Sequence, residues 1–296
     1  TPSNEFIKAS YNTFNYSLSL NPRAAISQSA TNGFGRFLSR LNLQSSLQIS
    51  KKEVAKGLVE FNPFRAPLND TSLITLGSSY INTMSFNRFS SKWGFDISNS
   101  VTSNKSLLTY GYESRQLNNW NLKGRVNITR TLLVDLTGQQ GVNQLITTNA
   151  KFGSRNYKID QYSLEPRISY TKGANLRAIV GYRWSDKTNR EDNREKALSN
   201  AVNGEIKYNI LQSTSIHTRF TYNKINFGTK DATANTNSPA AYIMLDGLLP
   251  GKNFLWNLEV TKRLSNNLEI NIQYEGRKPG EARTIHVGRA SVRALL

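Results

Sequence analysis

Two histidines, His217 and His286, and no cysteine make up the borderline and soft metal ligands of this 296-residue chain. Neither histidine lies in an HExxH or HxH spacing, so a histidine-rich metal centre is excluded. The lack of cysteine also removes disulfides, thiol nucleophiles and thiolate metal sites. His217 could serve as a base only beside a hydroxyl or carboxylate held by a third group. Ser and Asn occur in every segment, so no particular partner stands out. Glu259 and Glu269 could be read as an acid–base pair, but Arg263 nearby makes charge pairing the simpler reading, as Lys207 does for Glu205. The Gly-x-Gly stretches are read as lacking a following helix, which excludes a dinucleotide or phosphate-loop fold. No catalytic residue, cofactor or metal is expected.

A larger set of charges shares one parity: Lys123, Arg125, Arg167, Arg177, Arg183, Lys207, Arg219, Arg263, Arg289 and Arg293. Asp135, Glu165, Glu205, Glu259, Glu269 and Glu275 share it too. If these residues line one wall, it is mixed but basic on balance. Two readings stand. Such a wall can be a salt-bridge and hydrogen-bond network filling an interior, or an anion-preferring path.

The elements that would position this wall follow from alternation. Trp120, Leu122, Gly124, Val126 and Ile128 alternate with Asn121, Lys123, Arg125, Asn127 and Thr129. Ala174, Leu176, Ala178, Val180, Tyr182 and Trp184 alternate with mostly polar neighbours in the same way. Strand side chains point to opposite faces with period two, so these are strands with one apolar and one charged face. The alternation runs through segments near 6–20, 36–49, 72–88, 91–101, 106–116, 119–129, 131–140, 156–170, 174–185, 197–210, 213–226, 253–263, 266–277 and 283–296. The apolar set is even-numbered in most of them. It reverses at Leu41, Leu43, Leu47 and Ile49, and at Trp93, Phe95 and Ile97. Long alternating strands with charge at their midpoints predict an all-β fold, a closed transmembrane antiparallel β-barrel of about fourteen strands. Only alternate residues of such a barrel must face lipid, so a mean hydropathy of −0.51 with 38% hydrophobic residues does not oppose it.

The links support the same reading. Short turns near 130, 171–173, 211–212 and 264–266 alternate with longer polar links near 141–155, 186–196, 227–252 and 277–282, as in barrels with short turns on one side and long loops on the other. Acids in the long links concentrate at Asp186, Glu191, Asp192 and Glu195. Aromatics such as Trp93, Trp120, Tyr170, Tyr182, Trp184 and Tyr274 fall near segment ends, where interfacial girdles belong. Two stretches stand out as candidate partner contacts: Phe61 and Phe64 in the long 50–71 link, and Tyr242, Ile243, Met244 and Leu245, an apolar run that could instead fold inward.

Composition narrows the partners. With 38 basic and 20 acidic residues the formal charge is +18. The basic residues are spread along alternating strands rather than gathered in a patch, which argues for a solvated polar wall and against nucleic acid. Thr1-Pro2-Ser3-Asn4-Glu5 lacks the pattern of a signal peptide. The chain is expected to be one barrel domain over 1–296, read as the C-terminal part of a longer protein.

The C-terminal stretch GLLPGKNFLWNLEVTKRLSNNLEINIQYEGRKPGEARTIHVGRASVRALL, with Tyr274-Glu275-Gly276-Arg277-Lys278 at a loop and a terminal Val292-Arg293-Ala294 strand, resembles the final hairpins of large outer-membrane proteins of the Bacteroidota. Leu296 stands where those proteins commonly carry Phe. The resemblance implies the outer membrane of a Gram-negative bacterium, contact with lipid and lipopolysaccharide, and periplasmic parts ahead of the barrel. The expected role is a non-enzymatic subunit or anchor of a secretion, biogenesis or uptake complex with protein partners. A porin-like channel with a basic lumen is the alternative, and a barrel-borne hydrolase the least favoured.

Overall fold

The structure, a computed structural model, describes residues 9–24, 33–54, 72–191, 195–210, 213–229, 236–265 and 267–294. Its strands are β1 (Ala9–Leu20), β2 (Leu41–Val54), β3 (Leu73–Phe86), β4 (Trp93–Leu108), β5 (Gly111–Asn127), β6 (Leu132–Thr147) and β7 (Tyr157–Lys172). They continue with β8 (Leu176–Asn189), β9 (Lys196–Ile210), β10 (Thr214–Gly228), β11 (Gly251–Ser265), β12 (Leu268–Lys278) and β13 (Ile285–Ala294). All thirteen belong to one sheet, and each is bonded to its neighbours in sequence order. The chain is therefore all-β, an antiparallel up-and-down sheet of the kind that builds barrels. Among the described residues no helix is long and apolar enough to cross a membrane.

Among the described residues the count is thirteen where alternation predicts about fourteen. The segments expected at 91–101, 106–116 and 119–129 are two long strands, β4 and β5. Polar residues between the apolar runs keep the ladder intact: Ser103 pairs with Ser78 and Asn104 with Gly77. Backbone hydrogen bonds do not depend on side-chain polarity. The turn falls instead just before Gly111, whose φ of +119° a side chain would resist. β6 and β8 likewise run further than expected, to Thr147 and Asn189. A six-residue helix, α1 (Gly33–Leu38), starts on a Gly-x-Gly stretch expected to have no helix after it.

The chain divides into two compact units. In the first, made of 1–89, 95–121 and 140–160, the register aligns Leu20, Leu43, Met84 and Ile97 in one cross-strand row. Tyr16, Leu47, Tyr80 and Val101 form another. The parity reversal at β2 and again at β4 thus keeps the apolar side chains on one face. Asn42, Ser85 and Asp96 share the other face.

The second unit holds 90–94, 122–139 and 161–296. Across β8–β13 its even face carries the row Leu176, Tyr208, Ile216, Val260, Ile272 and Ala290. The next rows hold Ala178, Ile206, Thr218, Leu258 and Tyr274, then Val180, Gly204, Phe220, Trp256, Gly276 and His286. These apolar side chains are not a core: Val180 is 60% exposed, Ile272 52% and Ile206 48%. Apart from Gly276, the buried residues of β8–β13 lie on the odd face, with Ala197, Ala201, Ile225 and Asn253 among them. A contiguous exposed apolar face opposite a polar one inverts the arrangement of a water-soluble sheet.

Candidate functional site: the odd-numbered wall of the second unit

The odd face of β8–β13 gathers most of the basic residues singled out in the sequence. The row Arg177, Lys207, His217, Glu259, Gln273 and Arg289 crosses all six strands. Beside it run Ile179, Glu205, Arg219, Asn257, Glu275 and Val287. Arg177 and Lys207 are like charges directly across the ladder, a pairing that costs stability unless water or an anion screens it.

Charge pairing on this wall is local. Glu205 Oε1 lies 3.2 Å from His217 Nε2, and its Oε2 lies 3.6 Å from Arg219 Nε. Glu259 Oε2 stands 4.0 Å from His217 Nδ1, while its Oε1 accepts a 2.8 Å hydrogen bond from Asn271. His217 therefore sits between two carboxylates. Glu259 and Glu269 are not opposed across β11 and β12: Glu259 faces Gln273, and Glu269 faces Arg263 on one side and Arg293 on the other. That register leaves charge pairing, not acid–base work, for Glu269. His286 lies on the even face, where Tyr274 Oη and His286 Nδ1 are 2.8 Å apart. Among the described residues no cluster of His, Asp and Glu could hold a metal.

The other predicted wall residues take these places. Lys123, Arg177, Lys207, Arg219, Arg263, Arg289 and Arg293 are exposed, and Arg125, Arg167 and Arg183 are half-buried. Arg125 donates to the Ser90 carbonyl at 3.1 Å. Arg167 lies over Gly181, where a Cβ would come within 2.9 Å of its Cγ.

At one end of this wall the segment between β10 and β11 folds onto the odd face. Its helix α2 (Pro239–Met244) is capped by Ser238, whose Oγ accepts from the Ala241 amide at 2.9 Å. Ala241 and Leu245 pack on Ile225, with Phe227 and Leu248 around them. Of the run read as a candidate contact, Leu245 is buried in this packing, Met244 is buried, Ile243 is half-buried and Tyr242 is 71% exposed. Phe61 and Phe64 lie outside the described residues.

Three anchors hold the segment; of these the sequence reading named Glu195, among the acids of the long links, and passed over Lys187 and Asn253. Buried Lys187 donates to the Ile243 carbonyl at 3.0 Å and pairs with Asp246. Glu195, 1% exposed, accepts from Ser238 Oγ at 3.0 Å and from Asn189 Nδ2 at 3.1 Å. Asn253, fully buried, donates to the Leu249 carbonyl at 2.8 Å and accepts from the Gly280 amide at 3.0 Å. For Lys187 and Asn253 odd parity was the available signal, since it places both on the wall.

In the first unit a smaller network closes around Glu113. Arg115 Nε donates to its Oε1 at 2.8 Å, and Arg155 Nη2 stands 3.3 Å from its Oε2. Arg155 also donates to Tyr110 Oη at 2.9 Å, and this bond raises the Arg155 pKa above its ordinary value.

No protein-family model matches the chain, and no curated protein matches it either. Solved structures do resemble it. The Vibrio cholerae outer membrane protein OmpT, in a form lacking loop L8, is 10% identical with a TM-score of 0.42, covering 98% of each chain. The ferric yersiniabactin uptake receptor FyuA of Yersinia pestis is 9% identical with a TM-score of 0.47, over 96% of this chain and 57% of that one. The translocator domain of the Neisseria meningitidis autotransporter NalP is 10% identical with a TM-score of 0.30, over 92% of this chain and 93% of that one.

Proposed function

We propose that the chain is a non-enzymatic β-barrel of the outer membrane of a Gram-negative bacterium, with its apolar face in contact with lipid and lipopolysaccharide and its charged face lining a water-filled, anion-preferring passage. One observation carries this reading over a lumen filled by its own side chains: seven of the ten predicted wall cations are exposed. A filled interior would bury them against carboxylates, because a buried charge without a partner is costly. Basic walls favour anions in a pore. The ring nitrogens of His217 face carboxylates, an arrangement suited to charge pairing rather than to activating a nucleophile.

In planar bilayers with a salt gradient, the reversal potential is expected to show anion preference. Converting Arg177 and Lys207 together to Ser should reduce it. Cation preference in the parent protein, or no conductance, overturns the reading.

A second reading, a subunit or anchor of a secretion, biogenesis or uptake complex, draws support from β13, whose every residue is exposed, and from Tyr242. A photo-crosslinker at Tyr242 should then capture a protein partner in native membranes. Capture of lipid alone, with the chain migrating as a monomer, counts against it.

A further inference from the structure

The wall is cationic over most of its extent, but one patch of it is balanced. Asn257 on β11 is the centre of a three-by-three block of odd-face residues. Leu255 and Glu259 precede and follow it along its own strand. Across the ladder it faces Arg219 on β10 and Glu275 on β12. His217, Thr221, Gln273 and Arg277 occupy the corners. All nine line a single open cleft of ≈ 690 Å³, with Ile285 and Val287 of β13 extending its floor. That volume falls within the range of small-ligand sites, about 300–1,000 Å³.

The block is polarised. Arg219 stands on the β10 side. Its Nε is 3.6 Å from Glu205, well beyond the roughly 2.7–2.9 Å of a strong charge-assisted bond. Its terminal nitrogens have no partner among the described residues. Two carboxylates stand on the other sides. Glu275 uses Oε1 to accept from Gln273 at 3.1 Å and keeps its second oxygen, while Glu259 uses Oε1 for Asn271 and has Oε2 4.0 Å from His217 Nδ1. The Asn257 side-chain amide between them is unpaired among the described residues. Two guanidinium groups, Arg219 and Arg277, offset two carboxylates, so the cleft favours neither a net anion nor a net cation.

We propose that this cleft binds a short zwitterionic peptide, with its carboxylate on Arg219, its ammonium on Glu275 and Glu259, and its amide on Asn257. The spacing suits a dipeptide. Arg219 and Glu275 are two strands apart, about 10 Å between backbones, and they flank Asn257 across the ladder. An extended dipeptide spans roughly 7 Å. Leu255, Ile285 and Val287 offer an apolar floor for a small side chain. The site deepens the passage reading and rests on it only in needing the odd face to be wet.

The test titrates the full chain in detergent micelles with Ala-Ala, N-acetyl-Ala-Ala and Ala-Ala amide by calorimetry. Ala-Ala should bind saturably, and blocking either end should weaken binding about tenfold, the scale of one charge-assisted hydrogen bond. R219Q should erase the difference between Ala-Ala and its amide while keeping the acetyl effect, and E259Q combined with E275Q should do the converse. Equal binding of the three peptides, or no saturable binding of Ala-Ala, overturns the site. If a variant loses the heat-modifiable gel mobility of a folded barrel, the three peptides on the parent chain still decide. A protein that conducts in bilayers without binding Ala-Ala refutes the site alone. Binding without conductance refutes the passage alone.

Discussion

Trp256 of β11 lies across Gly276 of β12, its register partner on the even face: a Cβ placed on Gly276 would sit 2.1 Å from Trp256 Cε2. The ring occupies the space a side chain would need, and His286 on the next strand stands 5.9 Å from it, ring centre to ring centre. Gly276→Ala must displace the indole. Overpacking of this kind costs about 1–3 kcal/mol. The variant should lose heat-modifiable mobility at a lower temperature, with a shifted tryptophan emission. Unchanged thermal stability and emission would mean that the ring does not rest on Gly276.

The two faces should respond unequally to charge. Val180 is on the exposed apolar face, while Asn203 is on the odd face one strand away. Val180→Arg should destabilise the folded barrel by about 2–4 kcal/mol if its site lies near the bilayer midplane. Asn203→Arg adds one cation to a wet wall and should be nearly neutral. Equal losses in urea titrations of vesicle-inserted protein would refute the assignment of even positions to lipid.

Asn253 is a single side chain serving several backbone groups. Besides Leu249 and Gly280, its amide reaches the Gly251 carbonyl at 3.3 Å and the Asn223 carbonyl at 3.4 Å. Asn253→Ala strands those groups in a buried place, where each unsatisfied group costs about 1–3 kcal/mol. Asn253→Asp keeps the acceptor toward Gly280 and loses the donors, so it should fall between parent and Ala. The check is thermal stability of the three proteins in one detergent.

The anchor between Lys187 and Asp246 should control how firmly the α2 segment sits on the wall. Asp246→Ala leaves the buried Lys187 ammonium with the Ile243 carbonyl. Loss of the charged partner should weaken docking by about 1–3 kcal/mol. Proteolysis within 236–250 should then quicken, and single-channel conductance should rise if the segment narrows the passage. Unaltered cleavage would show that the packing of Ala241 and Leu245 on Ile225 suffices alone.

Alternation by itself determined which face each residue of β8–β13 would share. Period two is a property of the extended backbone and needs no tertiary information. It put Arg177, Lys207, Arg219, Glu259 and Glu275 on one side, Val180 and Ile206 on the other, and located the turn at Gly173; the link expected at 211–212 lies outside the described residues. It misjudged strand extent where Ser, Asn and Gln interrupt the apolar rhythm, as around 101–106 and 116–119. There the ladder continues because backbone groups pair whatever the side chain.

Parity says only that two residues share a face. Which of them are neighbours depends on register, and register is set jointly by turn lengths and by the packing of every adjacent strand. Only the tertiary structure therefore decided that Arg177 meets Lys207, that His217 stands between Glu205 and Glu259, and that Asn257 has Arg219 on one flank and Glu275 on the other. The inward fold of Met244 and Leu245 was equally beyond the sequence. An apolar run can be buried by its own chain or by a partner, and Ile225 and Lys187, which hold this segment, lie on strands that only folding brings beneath it, with Glu195 just ahead of β9.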